Sequence, residues 1–113
     1  MKDDRLYLIH VSECIERIQR YTAGGQAAFL AEELIQDAVV RNLQVLAEST
    51  QRLSDGLRSR WPDIDWRGIS GFRNVAVHGY LGVDLGQIWT IVERDLPPLK
   101  RTVEEMRRSL EAE

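Results

Sequence analysis

Leu6-Tyr7-Leu8-Ile9-His10-Val11-Ser12-Glu13-Cys14-Ile15-Glu16-Arg17-Ile18-Gln19-Arg20-Tyr21 is the stretch that decides the fold class. Leu8, Val11, Ile15 and Ile18 recur every three to four residues, which is the spacing of one face of an α-helix. The stripe ends at Tyr21, and Gly24-Gly25 supplies the left-handed stop expected just past a helix end. Further along, the same period returns. A second, longer helix carries Leu30, Leu34, Ala38, Val45, Leu46 and Leu53, with Asn42 and Ser49 interrupting its apolar stripe. The Trp61-Pro62 step marks a break soon after it. A short third helix opens at Asp65 as N-cap and turns Ile69, Phe72 and Ala76 inward.

The fourth helix begins at Asp84, with Gln87 three residues on as in a capping box. Leu85, Ile88, Trp89 and Val92 follow at helical spacing. Pro97-Pro98 interrupts the pattern, and a last helix carries Leu99, Val103, Met106 and Leu110. No segment alternates apolar and polar residues long enough to argue for a strand. The reading is an all-α bundle of four to five helices in a single domain over residues 1–113. So small a bundle leaves part of its apolar surface uncovered, and a homodimer is the usual remedy. Trp61, Trp66 and Trp89 read as core or interface anchors.

Composition narrows the function. Of 113 residues, 43% are apolar and 29% charged, as in ordinary globular chains, and the net charge is −3. No apolar run reaches the roughly 18–20 residues of a membrane span. Met1-Lys2-Asp3-Asp4-Arg5 turns amphipathic at once, without a signal-peptide stretch, so a cytoplasmic location with no membrane association is expected. The single cysteine, Cys14, excludes an intrachain disulfide and a multi-thiolate zinc site. His10 and Cys14 stand four apart, but no third or fourth ligand follows at suitable spacing, so neither a metal nor a cofactor is expected. Walker and dinucleotide-binding loops and the Gly-x-Ser-x-Gly elbow are all missing. Residues 41–73 carry six arginines against four carboxylates, the one basic stretch in an acidic chain.

Chemistry concentrates in Trp66-Arg67-Gly68-Ile69-Ser70-Gly71-Phe72-Arg73-Asn74-Val75-Ala76-Val77-His78-Gly79-Tyr80. Five glycines fall between Gly68 and Gly86, each lowering helix propensity by about 1 kcal/mol. Local stability given up in this way points to a site or a close contact. Arg73, His78 and Tyr80 are all able to act on a phosphate. Asn74 and His78 are four apart and share a helix face, with Arg73 on the flank. Each residue also has a plain structural role open to it. Arg73 could pair with a carboxylate, His78 could be a half-buried core histidine, Tyr80 an amphipathic edge residue, and Asn42 a buried polar group that sets packing. Their clustering favours a site.

Arg73-x4-His78 fits the Arg-x4-His pattern of the HEPN superfamily of small helical ribonucleases and nucleotide-binding domains. Extended to Tyr80 it becomes Arg-x4-His-x-Tyr, which resembles the HepT toxins. Asp37-Ala38-Val39-Val40-Arg41-Asn42-Leu43, Trp61-Pro62-Asp63-Ile64-Asp65-Trp66 and Asp95-Leu96-Pro97-Pro98-Leu99 are similar to that family too, in order along nearly the whole chain. Ala47-Glu48 departs from it where many relatives carry a glycine before the acid. The resemblance implies a homodimer whose two motifs meet in an interface cleft. It also implies an RNA-cleaving toxin paired with an MNT-type nucleotidyltransferase antitoxin that adds AMP to the motif tyrosine, here Tyr80. Arg73 and His78 would be catalytic, with Asn74 and Asn42 supporting.

Metal-free RNA cleavage needs a base for the 2′-hydroxyl, an acid for the leaving 5′-oxygen and a cation for the developing charge. Histidine titrates near neutrality and can serve as either base or acid, and arginine offers a permanent forked cation. One chain holds only one suitably placed histidine, so a two-histidine mechanism would draw the other from a second subunit. The alternative is a non-catalytic HEPN module that binds nucleotide or docks the nucleotidyltransferase.

Overall fold

The computed structural model describes residues 2–74 and 84–112. Every regular element among them is helical: α1 (Lys2–Tyr21), α2 (Gln26–Ala31), α3 (Glu33–Gln51), α4 (Asp55–Ser59), α5 (Trp66–Ser70), α6 (Leu85–Thr90) and α7 (Leu96–Ala112), with a π-helical turn at Ile91–Asp95 joining the last two. The all-α reading holds. No described helix is long and apolar enough to cross a membrane.

The stripe on α1 is the centre of the core, with Leu8, Val11, Ile15 and Ile18 all fully buried. α1 packs against both α3 and α7. Polar ties at its ends give the directions. Both carboxylate oxygens of Asp4, at the start of α1, accept from Ser54 just past the end of α3, from its N–H at 2.8 Å and its Oγ at 2.7 Å. Arg5 Nη2 donates to the Leu110 carbonyl at 2.6 Å, and Lys100 Nζ donates to Gln19 Oε1 at 3.2 Å. Hence α1 runs antiparallel to both neighbours. Residues 63–72 and the helical stretch from Gln87 to Leu99 face each other across a groove.

The expected stop after α1 is present at Gly25, whose φ of 91° is open to glycine and strained for other residues. A Cβ there would meet nothing within 4 Å, so the requirement is conformational rather than one of space.

Two expectations about the long helices are corrected. The second helix is not one element. Glu32 adopts extended backbone (φ −119°, ψ 110°) between α2 and α3. Gln36 stabilises that break by donating from Nε2 to the carbonyls of Phe29 (2.9 Å) and Leu30 (3.2 Å), which have lost their helical partners. As a result Leu30 and Leu34 leave the buried stripe and are 44% and 79% exposed, while Phe29 takes their place in the core against Trp89.

Nor do Pro97 and Pro98, which fall in the first turn of α7, interrupt the helical backbone. The helical backbone runs from Leu85 to Ala112, because the chain widens into a π-turn just before the prolines. A proline ring clashes with the carbonyl four residues back, and neither proline has an N–H to offer. In the wider turn the Leu96 N–H reaches back five residues to the Ile91 carbonyl, which moves the crowded carbonyls out of line. At about 1.5 Å per residue this rod spans roughly 42 Å, close to the 45 Å long axis of the molecule.

Candidate active site

Asp65 opens the segment that leads to the motif. Its Oδ1 accepts from the Gly68 N–H at 2.9 Å, which makes it the N-cap of α5 as its position in the sequence predicts. Gly68 is needed for that cap, since a Cβ there would lie 2.3 Å from Asp65 Oδ2. The Trp66 indole donates to the carbonyls of Arg58 (3.2 Å) and Trp61 (3.1 Å), tying α5 to the α4 region. All three tryptophans are half-buried against the core.

Past α5 the helical backbone continues through residues 72–74, with the Asn74 N–H donating to the Gly71 carbonyl at 3.0 Å. Ile69 and Phe72 are buried, at 8% and 7% exposure, and α5 packs on α3. Phe72 thus anchors the turn, while Arg73 and Asn74, next in sequence, are exposed. An arginine held in this way on a fixed backbone offers its fork of donors to an anion from solvent. His78 and Tyr80, with the expected inward residue Ala76, lie outside the described residues. Asn42 is half-buried on α3 and donates from Nδ2 to the Ala38 carbonyl of its own helix at 2.8 Å. That bond uses one of its amide hydrogens within its own helix.

The six arginines of the basic stretch are spread over several elements. Arg58 pairs with Asp55 at 2.6 Å, Arg52 lies 5.9 Å from the Tyr7 ring, and Arg60 lies 5.2 Å from the Trp61 ring, while Arg41, Arg67 and Arg73 stand exposed on different elements. On α1, His10 meets Tyr7 edge-on at 6.2 Å, and Cys14 is buried. Burial pushes the Cys14 thiol up from its ordinary value, with Arg17 partly opposing the shift. No group of three or more acidic, histidine or cysteine side chains suited to a metal occurs among the described residues.

Sequence reading missed a groove of about 570 Å³ beside the motif, between residues 63–72 and the helical rod from Gln87 to Leu99. Ile69, Phe72 and Ile91 line its floor, with Asp63, Asp65, Arg94 and Asp95 around them. Its two walls come from stretches of sequence at least fifteen residues apart, so no local pattern announces it.

The profile of one family, described as ribonuclease HepT-like, matches residues 11–106. The chain is 32% identical over 103 residues to the probable ribonuclease HepT of Thermococcus cleftensis, covering 90% of this chain and 94% of the relative. It is 30% identical to a provisional RNase of Caldanaerobacter subterraneus, covering 94% and 96% of the two chains. A Methanocaldococcus jannaschii protein named as a gamma-glutamylcyclotransferase and provisional RNase is 34% identical over 103 residues. That match takes in 90% of this chain and only 46% of the relative, so the chain spans about half of that longer protein. No solved structure matches. With an exposed Arg73-Asn74 pair opening an Arg-x4-His-x-Tyr pattern on an all-helical frame, and with a family match across most of its length, the chain belongs to the HepT-like ribonuclease family.

Proposed function

We propose that this chain is a metal-independent endoribonuclease, the toxin of a toxin–antitoxin pair, acting through Arg73 and His78 in a cleft completed by a second copy. The observation that carries the reading is the Arg-x4-His-x-Tyr pattern within a ribonuclease-family match, with its arginine exposed beside a buried anchor. In the reaction the 2′-oxygen attacks phosphorus and the bond to the 5′-oxygen breaks, leaving a cyclic phosphate and a free 5′-hydroxyl. A neutral His78 takes the 2′ proton. A protonated His78 of the other copy gives one to the leaving oxygen. The Arg73 fork binds the non-bridging oxygens as their charge grows, and loss of one such donor typically costs about 10²–10³ in rate. Asn74, sharing a helix face with His78 by spacing, helps orient the phosphate. Silencing follows from AMP addition at Tyr80 by an MNT-type nucleotidyltransferase, since the new phosphodiester pairs with the cations that the substrate phosphate needs.

The test is incubation of purified protein with RNA in the presence of EDTA. Arg73→Ala and His78→Ala should each abolish cleavage while melting at the wild-type temperature, and wild type should cut with the chelator present. Cleavage that stops with EDTA and returns with added metal would overturn the metal-free mechanism. Intact RNA under all conditions would leave a nucleotide-binding or docking module in its place.

A further inference from the structure

The groove between residues 63–72 and the π-turn has a composition unsuited to RNA. Its floor is apolar, with Ile69, Phe72 and Ile91 supplied from both walls. Gly68 and Gly71 on one wall add no side chain that would fill it. Its volume of about 570 Å³ falls within the range of roughly 300–1,000 Å³ typical of binding cavities. The charged groups at the rim are Asp63, Asp65 and Asp95 against Arg94, all exposed, an excess of two negative charges. An RNA backbone approaching such a rim is repelled.

A second copy of the chain is not complementary either. Leu34, the most exposed of the large apolar residues among those described, stands among Glu32, Glu33 and Asp37. Leu6 and Ile9 are flanked by Asp3, Arg5 and Glu13. Neither patch brings the positive charge that the rim calls for, and Tyr21, which does stand beside Arg17 and Arg20, is a single exposed ring next to the buried Ile18 and not an apolar helix face. We propose that this groove docks a different protein, through a basic helix that seats an apolar face on Ile69, Phe72 and Ile91 and sets Lys or Arg against Asp63 and Asp95. Helix-in-groove recognition of this kind takes its area from the apolar anchors and its orientation and specificity from charge. Because Gly71 and Phe72 line the groove, the docked helix lies next to Arg73. The inference rests on the described groove alone and stands whether or not the chain cuts RNA.

The experiment uses the full ¹⁵N-labelled chain with three probes. They are a synthetic amphipathic helix of about four turns with Lys and Arg flanking a Leu/Trp face, the same peptide with Glu in place of each cation, and a single-stranded RNA oligonucleotide. The basic peptide should shift the amide signals of Ile69, Phe72, Thr90 and Ile91, and the other two probes should not. In the double variant Asp63→Lys/Asp95→Lys, both positions being exposed and Asp65 left to cap α5, affinity for the basic peptide should fall at least tenfold. That variant should also acquire binding of the Glu peptide at the same signals. Unmoved signals with the basic peptide, or unchanged affinity after charge reversal, would overturn the proposal. Shifts of these signals by RNA would make the groove a nucleic-acid site. A sedimentation mass of the double variant different from wild type would mean that a second copy occupies it.

Discussion

Asp4 illustrates how much one residue can fix. It is only 3% exposed, and its carboxylate accepts both donors of Ser54. The Ser54 hydroxyl in turn accepts from the Leu57 N–H at 3.2 Å, so one side chain fastens the start of α1 to the N-cap of α4. Asp4→Ala strands two donors in a partly buried place, and we expect a loss of about 1–3 kcal/mol, measured as a lower urea midpoint with an unchanged slope. Asp4→Asn keeps one acceptor and should lose less. At Tyr80 the expectation is functional. Tyr80→Phe should cleave RNA like wild type yet gain no AMP on incubation with the nucleotidyltransferase and ATP, because only the acceptor oxygen is removed. Intact mass and a cleavage assay check both halves. An equal mass gain on the Phe variant would place the acceptor elsewhere.

At the scale of elements, the two corrected helices show backbone groups deciding where side-chain pattern did not. The Glu93 carbonyl faces a proline both four and five residues ahead, at Pro97 and Pro98, so neither α nor π pairing can satisfy it. The rod bends its hydrogen-bond register there, and the same turn presents Arg94 and Asp95 at the groove. The break at Glu32 depends on Gln36, whose amide holds the carbonyls at the end of α2. Gln36→Ala should free them, costing about 1 kcal/mol. Amide exchange across α2 should speed up while the amides of α1 stay protected. Equal acceleration in both helices would show that α2 does not open on its own.

At the scale of the molecule, the large apolar residues exposed among those described are Leu6, Ile9 and Tyr21 on α1 and Leu30 with Leu34 at the α2–α3 corner. A chain of 13.0 kDa that leaves these uncovered should associate. Sedimentation at micromolar concentration should return twice the chain mass. Leu34→Lys, at an exposed position, should lower it if the α2–α3 corner is part of the interface. A monomer mass for wild type would remove the shared two-histidine cleft along with the dimer.

What the sequence determined by itself was everything carried by short-range periodicity and local chemistry. The α1 stripe, the Gly25 stop and the Asp65 and Asp84 caps all stand as read, with Asp84 Oδ1 accepting from the Gln87 N–H at 3.1 Å. Each depends on neighbours within about one helical turn, which the order of residues already contains. The Arg73–Tyr80 pattern is local in the same sense, four residue types at fixed spacing, and its part beyond Asn74 lies outside the described residues. Only the tertiary structure decided the rest. Leu34 has the spacing of a core residue but is turned outward by an extended Glu32, a break stabilised by a glutamine four residues further on. The prolines read as a stop, yet buried Ile91, Leu96 and Leu99 hold the rod together across them. The groove needs two walls that meet only when the bundle closes, because packing brings together residues that the linear pattern keeps apart.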